Sequence, residues 1–395
     1  MSQNENGWQK VRFDQMVQHR SHRVEPGETK LEKYVGLKHI RPGSLRFNDY
    51  GDPSDVKGTK LEVWPDDVIF AKRGFNLLRK LAVADFHGIC SAHSMVLRAK
   101  EETLLNDLLP FFILSDKFFD TACAISVGSL SKTINWRDLA KQEFIIPPIE
   151  KQKEIAELLW EAEDSIENAN EEIERATNLS QGLMNELFSK GLGHKRFKET
   201  ELGKLPMSWS VGKLGDICTR NKKKFEPKDS DTVHKSLGLE HIESNTHQVI
   251  GYEMSDKTKS TKNIFSNGDV LYGKLRPNLN KVCIANFTGV CTTEIWVLIT
   301  KEIFDKTILF QILSSKKFVN YASRLTEGTN LPRLGWDDFS MYKIPIPPLP
   351  EQKQIASILS DADAKIDALR AHREKLVALK ASLIETLLDP GTANA

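Results

Sequence analysis

The chain has 395 residues, 40% hydrophobic and 28% charged, and its 55 Lys and Arg against 54 Asp and Glu leave a net charge of +1. This composition excludes a disordered or collagen-like chain and provides for two or three domains. The polar N-terminus lacks the pattern of a signal peptide, no apolar run approaches the roughly 20 residues of a membrane span, and five scattered cysteines without a C-x-x-C pair point to a reducing cytoplasm.

In chain order, residues 61–72 and 93–99 are rich in β-branched and aromatic side chains and predict strands, whereas 104–114 predicts a helix. After Pro147 and Pro148, apolar residues alternate spacings of four and three through Ile155, Leu159, Ala162, Ile166, Ala169, Ile173 and Ala176. Proline is tolerated in a first helical turn, and this periodicity is a heptad seam. Gly191 and Gly193 end it. Residues 268–276 and 292–301 again predict strands, and 304–313 a helix. A second seam then follows Pro347, Pro348 and Pro350, through Ile355, Leu359, Ala362, Ile366 and Leu369, and ends at Pro390 and Gly391.

The chain repeats itself at an offset of about 200. Ile146, Pro147, Pro148, Gln152, Lys153, Ile155, Ala156, Leu159, Ala162 and Ile166 all recur 200 positions later. Trp8 pairs with Trp209, Trp136 with Trp336, and the run from Tyr34 to Ile40 with that from Ser236 to Ile242. The expected fold is therefore α+β. A mixed globular part (1–149), a long helix (150–190), a second globular part (191–349) and a second helix (350–389) precede a short tail (390–395). Each helix would be about 60 Å long at 1.5 Å per residue, with Ile155, Leu159, Ala162, Ile166 and Ile173 of the first packing on Ile355, Leu359, Ala362, Ile366 and Leu369 of the second. Gly182 permits a local bend.

The small net charge hides a segregated distribution: +2 over residues 1–149, −8 over 150–189, +8 over 190–349 and 0 over 350–388. Basic residues cluster at Lys72, Arg73, Arg79 and Lys80, at Arg220, Lys222, Lys223 and Lys224, and at Lys274, Arg276 and Lys281. Such side chains supply the phosphate contacts of DNA binding. The run from Tyr272 to Lys281 also carries Asn278 and Asn280, and that from Thr326 to Leu334 carries Thr329, Asn330 and Arg333. Asn and Arg read adenine and guanine edges bidentately. These sixteen residues are the candidate DNA-binding set.

Catalytic patterns are missing from the sequence. It has no phosphate-binding G-x-x-x-x-G-K-[ST], no G-x-G-x-x-G and no H-E-x-x-H. Asp55 and Asp66 faintly suggest nuclease carboxylates, but neither has a correctly spaced acidic partner, and turns explain them better.

The layout resembles the DNA-specificity subunit of a type I restriction–modification enzyme over essentially the whole chain. The resemblance is carried by the runs 146–152 and 346–352, each opening a long helix, and by 268–277 and 327–336. It implies two target-recognition domains, with the helices packed antiparallel as a spacer, reading a bipartite and asymmetric double-stranded DNA target. It implies no catalysis and no cofactor in this chain. The implied partners are two methyltransferase subunits using S-adenosylmethionine and motor–nuclease subunits using ATP and Mg, with no membrane. The first repeat has Thr133 where the second has Arg333. Two other readings stand beside this one: a coiled-coil protein–protein scaffold that never touches DNA, and a free-standing nuclease using Asp55 or Asp66.

Overall fold

The computed structural model describes residues 7–391, apart from 48, 75–78, 129–131, 228–231, 245, 258 and 328–330. The chain divides into two units, one of residues 1–172 with 369–395 and one of residues 173–368.

In the first unit, β1 (Gln9–Arg12) pairs antiparallel with β10 (Glu143–Ile146). One antiparallel sheet runs in the order β2 (Val17–Arg20), β9 (Ser94–Ala99), β6 (Val68–Ala71), β7 (Leu81–Val83). A second runs β3 (Arg23–Val24), β5 (Lys60–Val63), β8 (Gly88–Cys90), β4 (Tyr34–Val35), with β4 and β8 parallel. Side chains alternate faces along a strand, so β6 feeds two cores. Val68 and Phe70 join a cluster with Phe13, Phe111, Phe118 and Phe144, while Ile69 joins one with Val35, Val63 and Phe86.

The second unit repeats this plan. β13 (Ser210–Lys213) pairs with β25 (Lys343–Ile346). The four-stranded sheet runs β14 (Cys218–Arg220), β22 (Ile295–Thr300), β19 (Val270–Gly273), β20 (Val282–Ile284). The other sheet runs β15 (Lys224–Phe225), β18 (Lys262–Phe265), β21 (Gly289–Thr292), β16 (Lys235–Leu237), β17 (Glu253–Met254), with β16 and β21 parallel. Val270 and Tyr272 of β19 face one cluster and Leu271 the other. A hairpin of β11 (Phe197–Thr200) and β12 (Gly203–Pro206) precedes these strands.

The two long helices span Ile149–Lys190 and Leu349–Leu387. Within the first unit their segments are antiparallel: Glu163 meets Lys380, and Asn170 accepts from Arg373 Nε at 3.1 Å. Within the second, Glu351 at the start of one helix accepts from Leu192 N–H, just past the end of the other. The α+β class with a repeated unit and two long helices is thus observed.

Three expectations need correction. Residues 61–72 form two strands, because Pro65 and Asp66 turn the chain between β5 and β6, Asp66 at φ 68°. Buried Asp67 holds that turn by accepting from Trp64 N–H at 2.9 Å, from Arg98 at 2.8 Å and from Arg20 at 3.1 Å. The helix expected over 104–114 is confined to Leu109–Leu114, because backbone turns occupy the residues before it. Ile155 and Leu159 lie in a different core from Ile355 and Leu359, not packed on them. Ile155 and Leu159 share one core with Phe111, Phe144, Ile384 and Leu388, and Ile355 and Leu359 share another with Met184, Leu187, Trp209 and Ile344. Ile166 and Ile366 are buried, whereas Ala162, Ile173, Ala362 and Leu369 are half-buried.

Candidate nucleic-acid interface

Two loops meet in the second unit. The first joins β19 to β20 and carries Lys274 to Lys281. Gly273 N–H donates to Lys281 O at 2.7 Å across its base. At its tip a single turn, Pro277–Leu279, is flanked by Arg276 (φ 50°) and Asn280 (φ 48°), both in the left-handed region. That conformation costs an ordinary side chain about 1–2 kcal/mol, and such strain concentrates at functional sites. The second loop joins β23 (Thr326–Glu327) to β24 (Arg333–Leu334). Leu275 forms a bridge with Arg333, Arg276 N–H donates to Pro332 O at 2.8 Å, and Leu334 N–H donates to Lys274 O at 3.0 Å. The backbone therefore fixes the two loops to each other.

The first unit builds the same junction. Arg73 bridges Thr133, Gly74 N–H donates to Lys132 O at 2.8 Å, and Ile134 N–H donates to Lys72 O at 3.0 Å. The side chains differ. Burial, and then Arg23, hold the Lys72 amine below its usual range, and Arg73 is exposed.

Several candidate side chains are engaged within their own unit. Arg79 donates to Asp116 at 2.6 Å and to Leu114 O at 3.2 Å, and lies 4.4 Å from the ring centroid of Phe119. Lys80 Nζ donates to Leu37 O at 2.6 Å, and Lys281 Nζ to Ile242 O at 2.5 Å. Asn280 Nδ2 donates to Ser314 O at 2.9 Å. Lys224 Nζ donates to Asn263 Oδ1 at 2.5 Å. Lys222, Lys223, Arg276 and Asn278 are exposed and Lys274 is half-buried. Arg220 is exposed with its guanidinium 4.6 Å from the Trp336 ring centroid, a cation–π contact. Thr329 and Asn330 lie outside the described residues.

Glu294 has no role legible in the sequence alone. Its carboxylate accepts from Arg333 Nε at 2.9 Å and from Arg333 Nη2 at 3.2 Å. That hydrogen bond, and then the charge of Glu294, hold the guanidinium above its usual range. The signal was visible only as a difference, since the first repeat has His93 there. Glu294 also lines a cavity of about 330 Å³ with Glu240, Glu253, Leu275 and the buried Lys262.

Among the described residues no group of three His, Cys, Asp or Glu could hold a metal. Burial pushes the thiols of Cys218, Cys283 and Cys291 up to about 12, and that of Cys90 higher still, so these are inert core thiols. Asp55 ends a short turn that starts at Pro53, and Asp66 sits in the turn described above.

The family model of the type I restriction modification DNA specificity domain matches residues 5–177 and again 206–378. The chain belongs to this family. Among specificity-subunit relatives, it is 32% identical over 197 residues to the type I restriction enzyme EcoDI specificity subunit of Escherichia coli, covering 49% of this chain and 44% of that one. It is 26% identical over 317 residues to the MjaVIII specificity subunit of Methanocaldococcus jannaschii, covering 76% and 73%. The match thus spans less than half the length of the Escherichia coli relative. Two solved structures share the fold over 98% of both chains. One is a type I restriction–modification S subunit from M. genitalium (TM-score 0.54, 15% identity), and the other comes from work on complex assembly and conformational transition of the type I R-M system (TM-score 0.53, 17% identity). In specificity-domain terms, each matched stretch holds one globular part together with most of the helix that follows it. No described helix is long and apolar enough to cross a membrane.

Proposed function

We propose that this chain is the non-catalytic DNA-sequence-specificity subunit of a type I restriction–modification complex. Each globular part reads one half of a bipartite, asymmetric target, and the helix pair fixes the unread gap. One observation carries the reading: the same two-loop junction occurs once per unit, with different side chains at equivalent points. Arg73 faces Thr133 in one, and Leu275 faces Arg333 in the other. Two copies of one scaffold with different contact residues suit a non-palindromic pair of half-sites. Centres separated by roughly one helical turn, about 10 bp, suit such an arrangement.

Within the candidate set, Lys72, Arg73, Arg220, Lys222, Lys223, Lys274, Arg276, Asn278 and Arg333 are the contact residues. Arg79, Lys80, Lys224, Asn280 and Lys281 hold the loops that present them. The domain limits are those of the repeat: recognition parts 1–149 and 191–349, spacer helices 150–190 and 350–389, and a tail 390–395.

The helices also dock the partners. Leu158 and Ile358 are exposed at matching positions 200 residues apart, and so are Leu179 and Leu379. A duplicated apolar pair on an otherwise charged surface suits two copies of one partner, here the methyltransferase subunit. Motor–nuclease subunits complete the complex. S-adenosylmethionine, ATP and Mg belong to those partners, and the complex works in the cytoplasm.

The test is methylation mapping of the genome with and without the chain, expressed beside its methyltransferase. A bipartite motif that disappears with the chain is expected. In binding assays the complex should lose affinity steeply with added salt. A Lys274/Arg276/Lys222 triple alanine variant with undiminished DNA affinity would favour the protein–protein scaffold instead.

A further inference from the structure

We infer that Glu294 is a positioning residue that aims Arg333 at a guanine in the half-site read by residues 191–349. This rests on the DNA-reading role proposed above and deepens it to one base and one pair of side chains. A guanidinium has five N–H donors in a planar fork. Glu294 takes the side edge, accepting from Nε at 2.9 Å and from Nη2 at 3.2 Å. Leu331 O accepts from Nη1 at 3.3 Å. One N–H on each Nη is left for a second, bidentate partner. Guanine presents the matching pair of acceptors, O6 and N7, on its major-groove edge, and no other base does.

The setting suits such a reader. The Arg333 side chain is 42% exposed and that of Glu294 25%, so the braced fork has access to solvent while its support is more sheltered. The Leu275 bridge pins Arg333 by its backbone, and a side chain held at both ends loses little freedom on binding. The ion pair carries no net charge, which favours a base contact over a phosphate contact. Neither partner exists in the first unit, where Thr133 and His93 stand at the equivalent positions. The guanine requirement therefore belongs to one half-site only.

The experiment uses the chain in complex with its methyltransferase subunit, on duplexes carrying the target found by methylation mapping. Each base pair of both half-sites is substituted in turn, and competition binding is measured for the wild type and for Arg333→Ala, Arg333→Lys and Glu294→Gln. In the wild type, one guanine of one half-site should be required, its replacement weakening binding on the order of 10- to 100-fold. Replacing it by 7-deazaguanine, which lacks N7, should also weaken binding, whereas inosine, which keeps O6 and N7, should not. Arg333→Ala and Glu294→Gln should abolish discrimination at that position alone and leave the salt slope nearly unchanged. By contrast, Lys274→Ala should reduce the slope by about one.

Thermal melts of each variant separate misfolding from lost reading, and Glu294→Gln, which preserves shape, carries the test if Arg333→Ala melts early. Unchanged base preference in folded Arg333→Ala and Glu294→Gln complexes overturns the inference, and so does an equal loss at every position. Failure of the wild-type complex to bind any bipartite duplex rejects the DNA-reading role itself, which is a different result.

Discussion

Trp8 and Trp209 occupy equivalent buried positions, yet their indole N–H groups fare differently. Trp209 Nε1 donates to Glu351 Oε2 at 2.8 Å. Trp8 Nε1 is buried with no acceptor among the described residues, and the position equivalent to Glu351 is Lys151. A hydrogen bond to a charged group contributes about 1.5–3 kcal/mol. Trp209→Phe should therefore destabilise the second unit by about that much, while Trp8→Phe costs the first unit clearly less. Urea unfolding of both variants, followed for each unit, checks the contrast. Glu351 also accepts from Leu192 N–H at 3.0 Å and pairs with His194 at 2.8 Å. Burial raises its carboxyl, but these hydrogen bonds outweigh it and hold the group below the ordinary 4.5. A lowered carboxyl lends stability that is present above the unfolded value and lost as pH falls through the folded one. The second unit should thus weaken below about pH 4.5, and Glu351→Gln should flatten that part of its pH profile. The tryptophan pairing could be read from the repeat. The difference in hydrogen bonding could not, because it depends on which side chain at 151 or 351 faces the ring.

At the scale of elements, the structure explains why the residues opening both helices recur. Gln152 Oε1 accepts from Leu105 N–H at 2.8 Å, and its Nε2 donates to Thr103 O and Pro147 O at 3.0 and 2.9 Å. Gln352 does the same with Asp305 N–H at 2.8 Å, Ile303 O at 3.1 Å and Pro347 O at 2.8 Å. One buried amide at each site ties helix, proline turn and globular part together. The heptad seams were legible because their period is local. The burial of Lys380 was not, since its partner lies 217 residues away. Lys380 Nζ meets Glu163 Oε2 at 2.5 Å and Gly43 O at 3.3 Å, while Glu163 Oε1 accepts from Leu45 N–H at 2.6 Å. Lys380→Met leaves a buried carboxylate without its cation and should destabilise the first unit by about 3–5 kcal/mol, measured as a lower urea midpoint. Gly182 behaves oppositely. The helix runs through it, and a methyl group there meets nothing within 4 Å. Gly182→Ala should raise stability by about 1 kcal/mol, and a loss on calorimetry would show that the glycine serves a bend.

At the scale of the whole molecule, both long helices cross the boundary between units: residues 149–172 and 369–387 belong to the first, and 173–190 and 349–368 to the second. On the proposed reading this makes the helices a ruler. Removing one heptad from each shortens them by about 10 Å, or roughly 3 bp of duplex at 3.4 Å per step. The mapped motif should keep both half-sites and lose about that much gap, and an unaltered gap would sink the ruler. The charge distribution adds a direction. With +8 over residues 190–349 against +2 over 1–149, charge reversal in the second globular part should change the salt slope of the proposed DNA binding more.

The shared helices also set an order of events during synthesis. The core of the first unit contains Ile384 and Leu388, and its buried Glu163 waits for Lys380. A ribosome has translated all of the second globular part before those residues emerge. The domain made first therefore matures last, and a nascent chain that stalls before residue 369 carries an open core and an uncompensated carboxylate. Such a chain should be cleaved faster by proteases than the full-length chain, so completion of the first unit is tied to synthesis of the second.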